Sequence, residues 1–286
     1  MNQIVIIGAL ELGGIFAIMS LGLYISYKVL NLPDLTVDGS FTLGCAVSAV
    51  LTLSGHPFLG LLLAFVSGMM AGLITGLLTT KLKIASLLAG ILTMTGLYSI
   101  NLKIMNDSPN ISLFDCSTIF TSFSFFKDYT QLILIVIFVF IIFLCLNYFL
   151  KTQFGLALRA CGDNEDMVKA SSIDADLMKI IGLTLANGLV ALSGAIYAQH
   201  QSFADSQSGT GMMVIGLASI IIGMAFIKKD QIFYQLLAVI LGAVIYRGIL
   251  TIALQIGVPS TDLKLLSALL VVVALIFTKL KKGRVK

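Results

Sequence analysis

The sequence predicts an all-α, polytopic membrane protein with about nine transmembrane helices, and three observations support this class. Of the 286 residues, 58% are hydrophobic and 11% are charged, whereas soluble domains carry about 25% charged residues. The mean hydropathy is +1.03. Apolar runs of about 20 residues, enough to cross a bilayer as a helix, recur along the chain. The alternating ~10-residue segments of a membrane β-barrel do not occur.

The predicted spans follow one another with turn signals between them. In order they cover residues 3–28, 41–54, 58–78, 84–105, 130–150, 179–200, 212–227, 232–254 and 264–280. The second and the seventh are short for a full crossing. The first has neither a basic n-region nor a small-residue cleavage site, so it is interpreted as a span and not as a signal peptide. Residues 1–286 are expected to form a single transmembrane domain.

Basic residues predict the orientation of these spans. With the basic segment KLKKGRVK in the cytoplasm, 14 of the 18 Lys and Arg residues fall on or beside that side, as the positive-inside rule requires. The amino terminus is then expected outside and the charged segment 151–179 inside. This segment holds nine of the 32 charged residues.

The two halves of the chain, about 1–105 and 179–280, show signs of an inverted-topology repeat. An offset of 172 residues relates small residues of the short second and seventh spans: Gly39 and Gly211, Gly44 and Gly216, Ala46 and Ala218. These spans run in opposite directions in the predicted topology. Short, glycine-interrupted helices arranged in this way flank the central path of many transporters.

Glycines recur at every fourth residue of the third span, at Gly68, Gly72 and Gly76. Such a row forms a smooth groove that another helix can approach closely. We interpret it as packing within the chain, and the alternative is a contact between subunits or at a gate.

Two charged residues, Glu11 and Arg247, lie well inside predicted spans, while Asp34 and Asp38 are placed in an inner loop. Counting 1.5 Å per residue puts Glu11 and Arg247 roughly 10–12 Å below the outer surface. A buried, unpaired charge is costly and usually marks a pathway or a partner. We expect both side chains on a translocation path, paired directly or through substrate or water. An ion pair that only fixes helix packing is an equal alternative.

Neutral polar side chains within spans are further candidates for the path: Asn101, Asn187, Ser193 and Gln199. Their alternative role is hydrogen bonding between helices. His56 and His200 lie at predicted span ends, where solvated histidines are expected in preference to ligands or proton relays.

No catalytic, cofactor-binding or metal site is predicted. The chain has no GxxxxGK[ST] loop for nucleotide phosphates and no HExxH motif. Its four cysteines do not have the spacing of metal ligands. The net charge of +4 is explained by membrane topology and not by nucleic-acid binding. If transport is driven by ATP, another chain must bind the nucleotide.

The charged segment 151–179 predicts helices outside the membrane. Asp163 or Asn164 is a suitable N-cap for a short helix over 164–172, which has acidic residues in its first turn. A second helix start at Asp174 leads into the sixth span. A short cytoplasmic helix suits docking onto a motor subunit, and a solvated connector is the open alternative.

Two motifs carry a resemblance to a known family. G-L-A-L-R-A-C-G-D-N at 155–164 and M-K-I-I-G-L-T-L-A-N-G-L-V-A-L-S-G-A at 178–195 resemble the cytoplasmic loop and next helix of bacterial ABC-importer permeases. The family includes branched-chain amino acid and ribose permeases. Segments 31–44 (NLPDLTVDGSFTLG) and 203–218 (FADSQSGTGMMVIGLA) are similar to permeases of tryptophan- and tyrosine-type amino acid uptake systems.

The resemblance implies an assembly of two permease subunits, two cytoplasmic ATPases and an extracytoplasmic solute-binding protein. It assigns the short helix, about 163–172, as a coupling helix on the ATPase, with Arg159 and Gly162 shaping the turn before it. The expected coupling residues are Arg159, Gly162, Asp163, Asn164, Glu165, Asp166, Met167 and Lys169.

The outer segment 106–128 is the longest predicted extracytoplasmic loop. Its charged residues Asp107, Asp115 and Lys127 are expected to contact the binding protein. A lid without a partner is the alternative.

Taken with the resemblance, these observations predict the permease subunit of an ATP-binding-cassette importer. It would lie in the lipid of the bacterial plasma membrane as a homodimer and would not itself be an enzyme. Its expected substrate is a small amino acid, with tryptophan or tyrosine as aromatic candidates. The alternative is an ion-coupled secondary transporter, against which the single deep carboxylate counts. A membrane scaffold without transport is a third interpretation, against which the interrupted short spans count.

Overall fold

The computed structural model describes residues 3–122, 129–171, 173–227, 229–259 and 262–283. The helices are α1 (Gln3–Tyr24, continued by a π-helical turn Ile25–Val29), α2 (Thr36–Leu53), α3 (Pro57–Thr80), α4 (Ser86–Ile104), α5 (Ile119–Ser122), α6 (Thr130–Phe149), α7 (Gln153–Asp163), α8 (Glu165–Ala170), α9 (Ala175–Gln201), α10 (Met212–Phe226), α11 (Ile232–Gln255) and α12 (Leu263–Gly283). Strands β1 (Asn110–Ser112) and β2 (Phe203–Asp205) form an antiparallel pair.

Seven helices in the described ranges are long and apolar enough to cross a membrane: α1, α2, α3, α4, α6, α9 and α11. Helix α10 has 15 residues, and the apolar stretch described within α12 is Leu265–Ala274. The all-α, polytopic class is therefore confirmed, whereas the count of nine full-length spans is not. Helix α2 begins five residues before the predicted boundary at 41, because its polar first turn is satisfied inside the protein.

Helix α9 lies at the centre of the bundle, where it packs on α1, α2 and α3. It runs antiparallel to α1, since Ser193 Oγ donates to the Ile15 carbonyl at 2.7 Å while His200 contacts Glu11, nearer the start of α1. Its contact with α2 is closer still. A Cβ at Gly44 would lie 1.9 Å from a backbone oxygen of α9, so only glycine permits this approach.

The glycine row of α3 also packs on α9. A Cβ at Gly68 would meet the Asn187 carbonyl oxygen at 2.5 Å, and a Cβ at Gly72 would meet the Leu183 carbonyl oxygen at 2.3 Å. The interpretation of this row as packing within the chain is confirmed.

The helices of the two halves make corresponding contacts. Helix α2 packs on α3, α4 and α9, and α10 packs on α11, α12 and α1. A Cβ at Gly44 would lie against Ala191, and a Cβ at Gly216 would lie against Met19. Gly216 follows Gly44 by 172 residues and Ala191 follows Met19 by the same 172 residues, so the two contacts correspond. This correspondence supports the repeat. The limits 1–105 and 179–280 stay a prediction.

The bundle has two distinct ends. The start of α1, the β1–β2 pair and α5 lie at one end, where α9 finishes. Helices α7 and α8 lie at the other, against the π-helical turn and the start of α9. Following the orientation predicted from the basic residues, we call these the outer end and the cytoplasmic end.

Candidate functional site

The short helices α2 and α10 begin close together inside the bundle, and Asp38 joins them. One carboxylate oxygen of Asp38 accepts the N–H of Gly211 at 2.8 Å, and the other accepts the N–H of Met213 at 2.8 Å. The first N–H groups of a helix lack partners within the helix, and the positive end of the helix dipole favours an anion there. Asp38 of the first half thus caps a helix of the second half.

The loop before α10 packs against the first turns of α2, beside Asp38. Thr42 Oγ1 accepts the N–H of Gly209 at 3.0 Å and donates to the Asp38 carbonyl at 3.1 Å. A Cβ at Gly209 would lie 1.9 Å from that carbonyl oxygen, so this position also requires glycine. Asp38 precedes the outer end of α2 by about 15 residues, roughly 22 Å along the helix, and therefore lies deep in the bundle.

A second carboxylate, that of Asp34, caps α2 itself. Asp34 is 1% exposed, and its oxygens accept the Thr36 N–H at 2.9 Å and a side-chain N–H of Asn187 at 2.7 Å. Ser40 donates to the Asn187 side-chain oxygen at 2.7 Å. Asn187, a predicted path residue, therefore ties α9 to both the loop before α2 and α2 itself.

The placement of Asp34 and Asp38 in a cytoplasmic loop was wrong. The chain after the π-helical turn folds back into the bundle, where helix N-termini and the Asn187 amide satisfy both carboxylates. The local signal was present, because an acidic residue ahead of an apolar run is typical of a helix start. The partner of Asp38 is 173 residues away and gives no local signal.

A cavity of about 280 Å³ adjoins Asp38. It is lined by Asp38, Gly39, Thr42, Met94, Thr95, Tyr98, Asn101, Ser206 and Thr210. These residues offer a carboxylate, an amide and several hydroxyls, and they include no Lys, Arg or His. The cavity opens beside α4, where Thr95 and Tyr98 are exposed. It lies where the two halves of the chain meet.

Asn101 is the predicted path residue that lines this cavity. Its side chain is 2% exposed, and its amide donates to the Gly39 carbonyl at 3.4 Å. Its Oδ1 has no hydrogen-bond partner among the described residues. Because buried acceptors are normally paired, an unpaired one requires a physical explanation.

Glu11 and Arg247 do not contact each other directly. Glu11 Oε2 lies 3.1 Å from His200 Nε2, and the Arg247 guanidinium lies 5.7 Å from the centroid of the Phe16 ring. Within the part of the chain that the structure describes, no ion pair joins Glu11 to Arg247. The prediction of a direct ion pair between Glu11 and Arg247 is therefore wrong. Glu11 faces α9, whereas Arg247 faces the ring of Phe16, which lies more than one turn deeper in α1.

The two histidines differ. His56 is exposed, as expected, whereas His200 is partly buried between Glu11 and the Phe120 ring, whose centroid lies 5.9 Å away. The expectation of a solvated His200 was wrong, because the outer segment folds over it.

Ser193 and Gln199 join elements of the bundle. Ser193 is fully buried and donates to α1, and Gln199 donates to Ser48 and to the Pro57 carbonyl, each at 3.0 Å. Gln199 also accepts the Ile119 N–H at 3.0 Å. These contacts agree with hydrogen bonding between helices. A role of Glu11, Asn187, Ser193 or Arg247 on a translocation path stays a prediction.

The short cytoplasmic helix is α8, and both predicted caps are present. Asn164 accepts the Met167 N–H at 3.2 Å, and Asp174 accepts two N–H groups at the start of α9. Helix α8 ends at Ala170, before the predicted limit at residue 172, which lies outside the described residues.

Arg159 and Gly162 lie within a helix and not in a turn. Helix α7 begins after Thr152, whose Oγ1 accepts the Gly155 N–H at 3.3 Å. A Cβ at Gly162 would lie 1.9 Å from the Val29 carbonyl oxygen, so this glycine allows α7 to pack on the end of α1. The sequence did contain a signal for α7, because buried Gly155, Leu158 and Cys161 recur at helical spacing.

Ion pairs attach α8 to α9. Glu165 lies 2.5 Å from Lys179 of α9 and 2.8 Å from Lys169 of its own helix. The hydrogen bonds from Lys169 and Lys179 lower the pKa of Glu165, and the Glu165 carboxylate raises the pKa of Lys169. Below α8, a small apolar core is formed by Cys161, Val168, Ala175 and Met178.

The opposite face of α8 is open to the solvent. Met167 is 62% exposed, and Asp163, Asn164 and Asp166 are also exposed. The structure thus presents an apolar side chain among charged and polar ones on a helix that is anchored to α9.

The outer segment presents two of the three residues predicted to contact a binding protein. Asp107 and Asp115 are exposed, and Lys127 lies outside the described residues. The strand β1 and the buried Leu113 attach the segment to the end of α9.

Comparisons with known proteins give consistent results. The family described as "Branched-chain amino acid transport system / permease component" matches residues 5–275. The chain is 42% identical to the tyrosine transport system permease protein of Clostridioides difficile strain R20291 over 259 residues, 90% of this chain and 86% of that protein. It is 37% identical to protein RP368 of Rickettsia prowazekii, with 95% and 96% of the two chains covered.

A shorter similarity reaches the autoinducer 2 import system permease protein LsrC of Salmonella typhimurium. It is 30% identical over 73 residues, 26% of this chain and 21% of that protein. No solved structure matches the chain.

Proposed function

Because the chain belongs to the family of branched-chain amino acid transport system permease components, we propose that it is the membrane subunit of an importer for a small amino acid. Family membership makes it a permease component of an ABC-type transport system, a multi-pass protein of the bacterial plasma membrane and not itself an enzyme. The substrate, the direction of transport and the individual partners are the proposed parts.

The observation that carries the proposal is the mechanical continuity of α9. At its cytoplasmic end α9 holds α8 through Glu165 and Lys179. At mid-length its Asn187 binds Asp34, which caps α2. Because these contacts lie on one continuous helix, a displacement of α8 would be transmitted along α9 to the place where the two halves meet. We assign α8 as the contact for a cytoplasmic ATPase subunit.

The substrate proposal rests on the relative and on the cavity. The similar protein from Clostridioides difficile is named as a tyrosine transport permease, and the cavity beside Asp38 combines a largely apolar lining with a carboxylate, an amide and hydroxyls, as sites for small solutes do. A small amino acid, with tyrosine or tryptophan as aromatic candidates, fits both.

Two protein surfaces are proposed for partners on the outer side and in the membrane. Asp107, Asp115 and Lys127 would receive an extracytoplasmic solute-binding protein. A second copy of this chain, in a homodimer, would cover the exposed Thr95 and Tyr98 of α4, because polar side chains are less suited to lipid than the apolar surface of α6.

Asp34 favours a second candidate, an ion-coupled secondary transporter. This carboxylate is buried, and no ion pair involving it occurs in the described ranges. Intramembrane carboxylates of this kind serve in proton relays.

Reconstitution separates the two candidates. The chain would be co-expressed with a candidate ATPase and a candidate binding protein from the same genome, placed in liposomes, and tested for uptake of labelled L-tyrosine, L-tryptophan and L-leucine. Uptake that requires ATP hydrolysis and the binding protein supports the importer. Uptake driven by a proton or sodium gradient without the ATPase supports the alternative and overturns the proposal.

A further inference from the structure

The cavity beside Asp38 is lined by hydrogen-bond acceptors, and no cationic side chain is among its described lining residues. One Asp38 oxygen accepts the N–H of Gly211, just before α10, and the other accepts the N–H of Met213 in α10, which leaves further acceptor capacity on both oxygens. The Oδ1 of Asn101 is buried and unpaired. The described residues that line the cavity include no Lys, Arg or His. This described lining therefore lacks a donor group that carries a full positive charge.

An ammonium group supplies what is missing. It carries three N–H donors and no acceptor, and hydrogen bonds between charged groups are the stronger ones. We propose that this cavity is a binding site within the permease for the ammonium group of the transported amino acid, with Asp38 and Asn101 as its contacts. The inference rests on the proposed function, since it names the part of the substrate that the membrane subunit itself recognises.

The remaining lining residues suit the other parts of an amino acid. The hydroxyl of Thr210 is a donor for a carboxylate, and Met94 and the ring of Tyr98 provide an apolar wall for a side chain. Asp38 comes from the first half and Thr210 from the second. A relative movement of the halves during transport would separate these groups and release the substrate.

Analogues that lack one charged group test the proposal on the purified permease–ATPase complex in nanodiscs, without the binding protein. The probe is labelled L-tyrosine. Tyramine keeps the ammonium and lacks the carboxylate, whereas 3-(4-hydroxyphenyl)propionate keeps the carboxylate and lacks the ammonium. Tyramine is expected to displace the probe, and the acid is not.

Substitutions test the two contacts. Asp38→Asn removes the charge but keeps an oxygen for the cap of α10, and it is expected to weaken tyrosine binding roughly 10- to 100-fold. Asn101→Ala leaves the cap untouched and is expected to weaken binding roughly 5- to 10-fold. Asp262→Asn removes an exposed carboxylate away from the cavity and serves as the matched control, with no expected change.

The outcomes separate this site from the function on which it rests. Displacement by the acid as strong as by tyramine, or tyrosine import without saturable binding to the complex, overturns the site. If Asn101→Ala and a properly assembled Asp38→Asn both leave the KM for ATP-driven uptake unchanged, the proposed ammonium site is also overturned. The proposed importer function is not affected by that result. If the unsubstituted transporter imports no amino acid, the proposed function fails first and the site with it. Should Asp38→Asn not assemble, Asn101→Ala and the analogues decide the question.

Discussion

Asp38 in the first turn of α2 accepts the N–H of Gly211, the residue before α10, at 2.8 Å. These residues belong to opposite halves of the chain, so the bond fixes the start of one short helix to the start of the other. The Asp38 carboxylate interacts favourably with the positive end of the α10 helix dipole, and it also lines the cavity.

Removal of the Asp38 carboxylate is expected to destabilise the protein. Asp38→Ala deletes both hydrogen bonds to the N-terminus of α10, and loss of such a cap costs about 1–2 kcal/mol. Thermal unfolding of the purified protein in detergent measures the change. Asp115→Ala, which removes an exposed carboxylate in a loop, is the control, and an equal melting temperature in both variants would contradict the role of the cap.

Gly44 and Gly96 are a matched pair of helix glycines with opposite surroundings. A Cβ at Gly44 would lie 1.9 Å from a backbone oxygen, whereas a Cβ at Gly96 meets nothing within 4 Å. Gly44→Ala is expected to abolish or strongly reduce the folded fraction in the membrane, because α2 and α9 must separate. Gly96→Ala is expected to stabilise slightly, by up to about 1 kcal/mol. Fluorescence-detected size exclusion compares them, and equal folded yields would show that the close approach is not required.

The ion pair between Glu165 and Lys179 is expected to hold the coupling helix in place. Glu165→Lys places like charges beside Lys169 and Lys179, and we expect a several-fold loss of ATPase co-purification and of ATP-driven uptake. The double exchange Glu165→Lys with Lys179→Glu is expected to recover part of both. Lys81→Ala is the control and should have little effect, because this exposed lysine at the end of α3 is not part of α8 or its ion pairs. A double exchange no better than the single one would refute the pair.

The attachment of α8 is expected to depend on pH. The hydrogen bonds from Lys169 and Lys179 lower the pKa of Glu165 in the folded protein, so their contribution is complete above the pKa of an unfolded Glu, about 4.3. It is lost as the pH falls through the lowered pKa of the folded state. Amide hydrogen exchange in α8, corrected for the intrinsic rate, should be constant from neutral pH to about pH 5 and rise in more acidic solution. Glu165→Gln should lack this dependence, and an identical profile would count against the assignment.

Exchange of the charges of Glu11 and Arg247 is not expected to restore function. Glu11 contacts His200 and Arg247 lies over Phe16, so Glu11→Arg with Arg247→Glu should be as defective in uptake as the worse of the single variants. Recovery in the double variant would show that the two charges meet in another state of the transport cycle.

Features encoded by neighbouring residues could be predicted from the sequence. Asn164 and Asp174 were recognised as caps because each bonds to an N–H two or three residues away. The glycine row of α3 was recognised because its spacing alone defines a smooth helix face. The small residues at an offset of 172 indicated the repeat before any contact was known.

Features that depend on distant partners could not be predicted. Asp38 and His200 have partners 173 and 189 residues away in the chain, and nothing beside them in the sequence indicates those contacts. The cavity combines residues from α2, α4 and the loop before α10. Asn101 was named as a polar residue in a span, but its unpaired oxygen appears only when these elements are assembled.

The length of α10 has a consequence for how the chain is made. Its 15 residues extend about 22 Å, less than the roughly 30 Å of a hydrocarbon core, and the loop before it carries polar backbone groups. Such backbone is tolerated at that depth only when protein surrounds it, and here α1 and α2 of the first half and α11 and α12 of the second half surround α10. Helix α10 therefore cannot settle in the bilayer as it leaves the ribosome. Its stable place in the membrane requires helices of both halves, including α11 and α12, which are synthesised after it, so we expect α10 to assemble only after the whole bundle has been made.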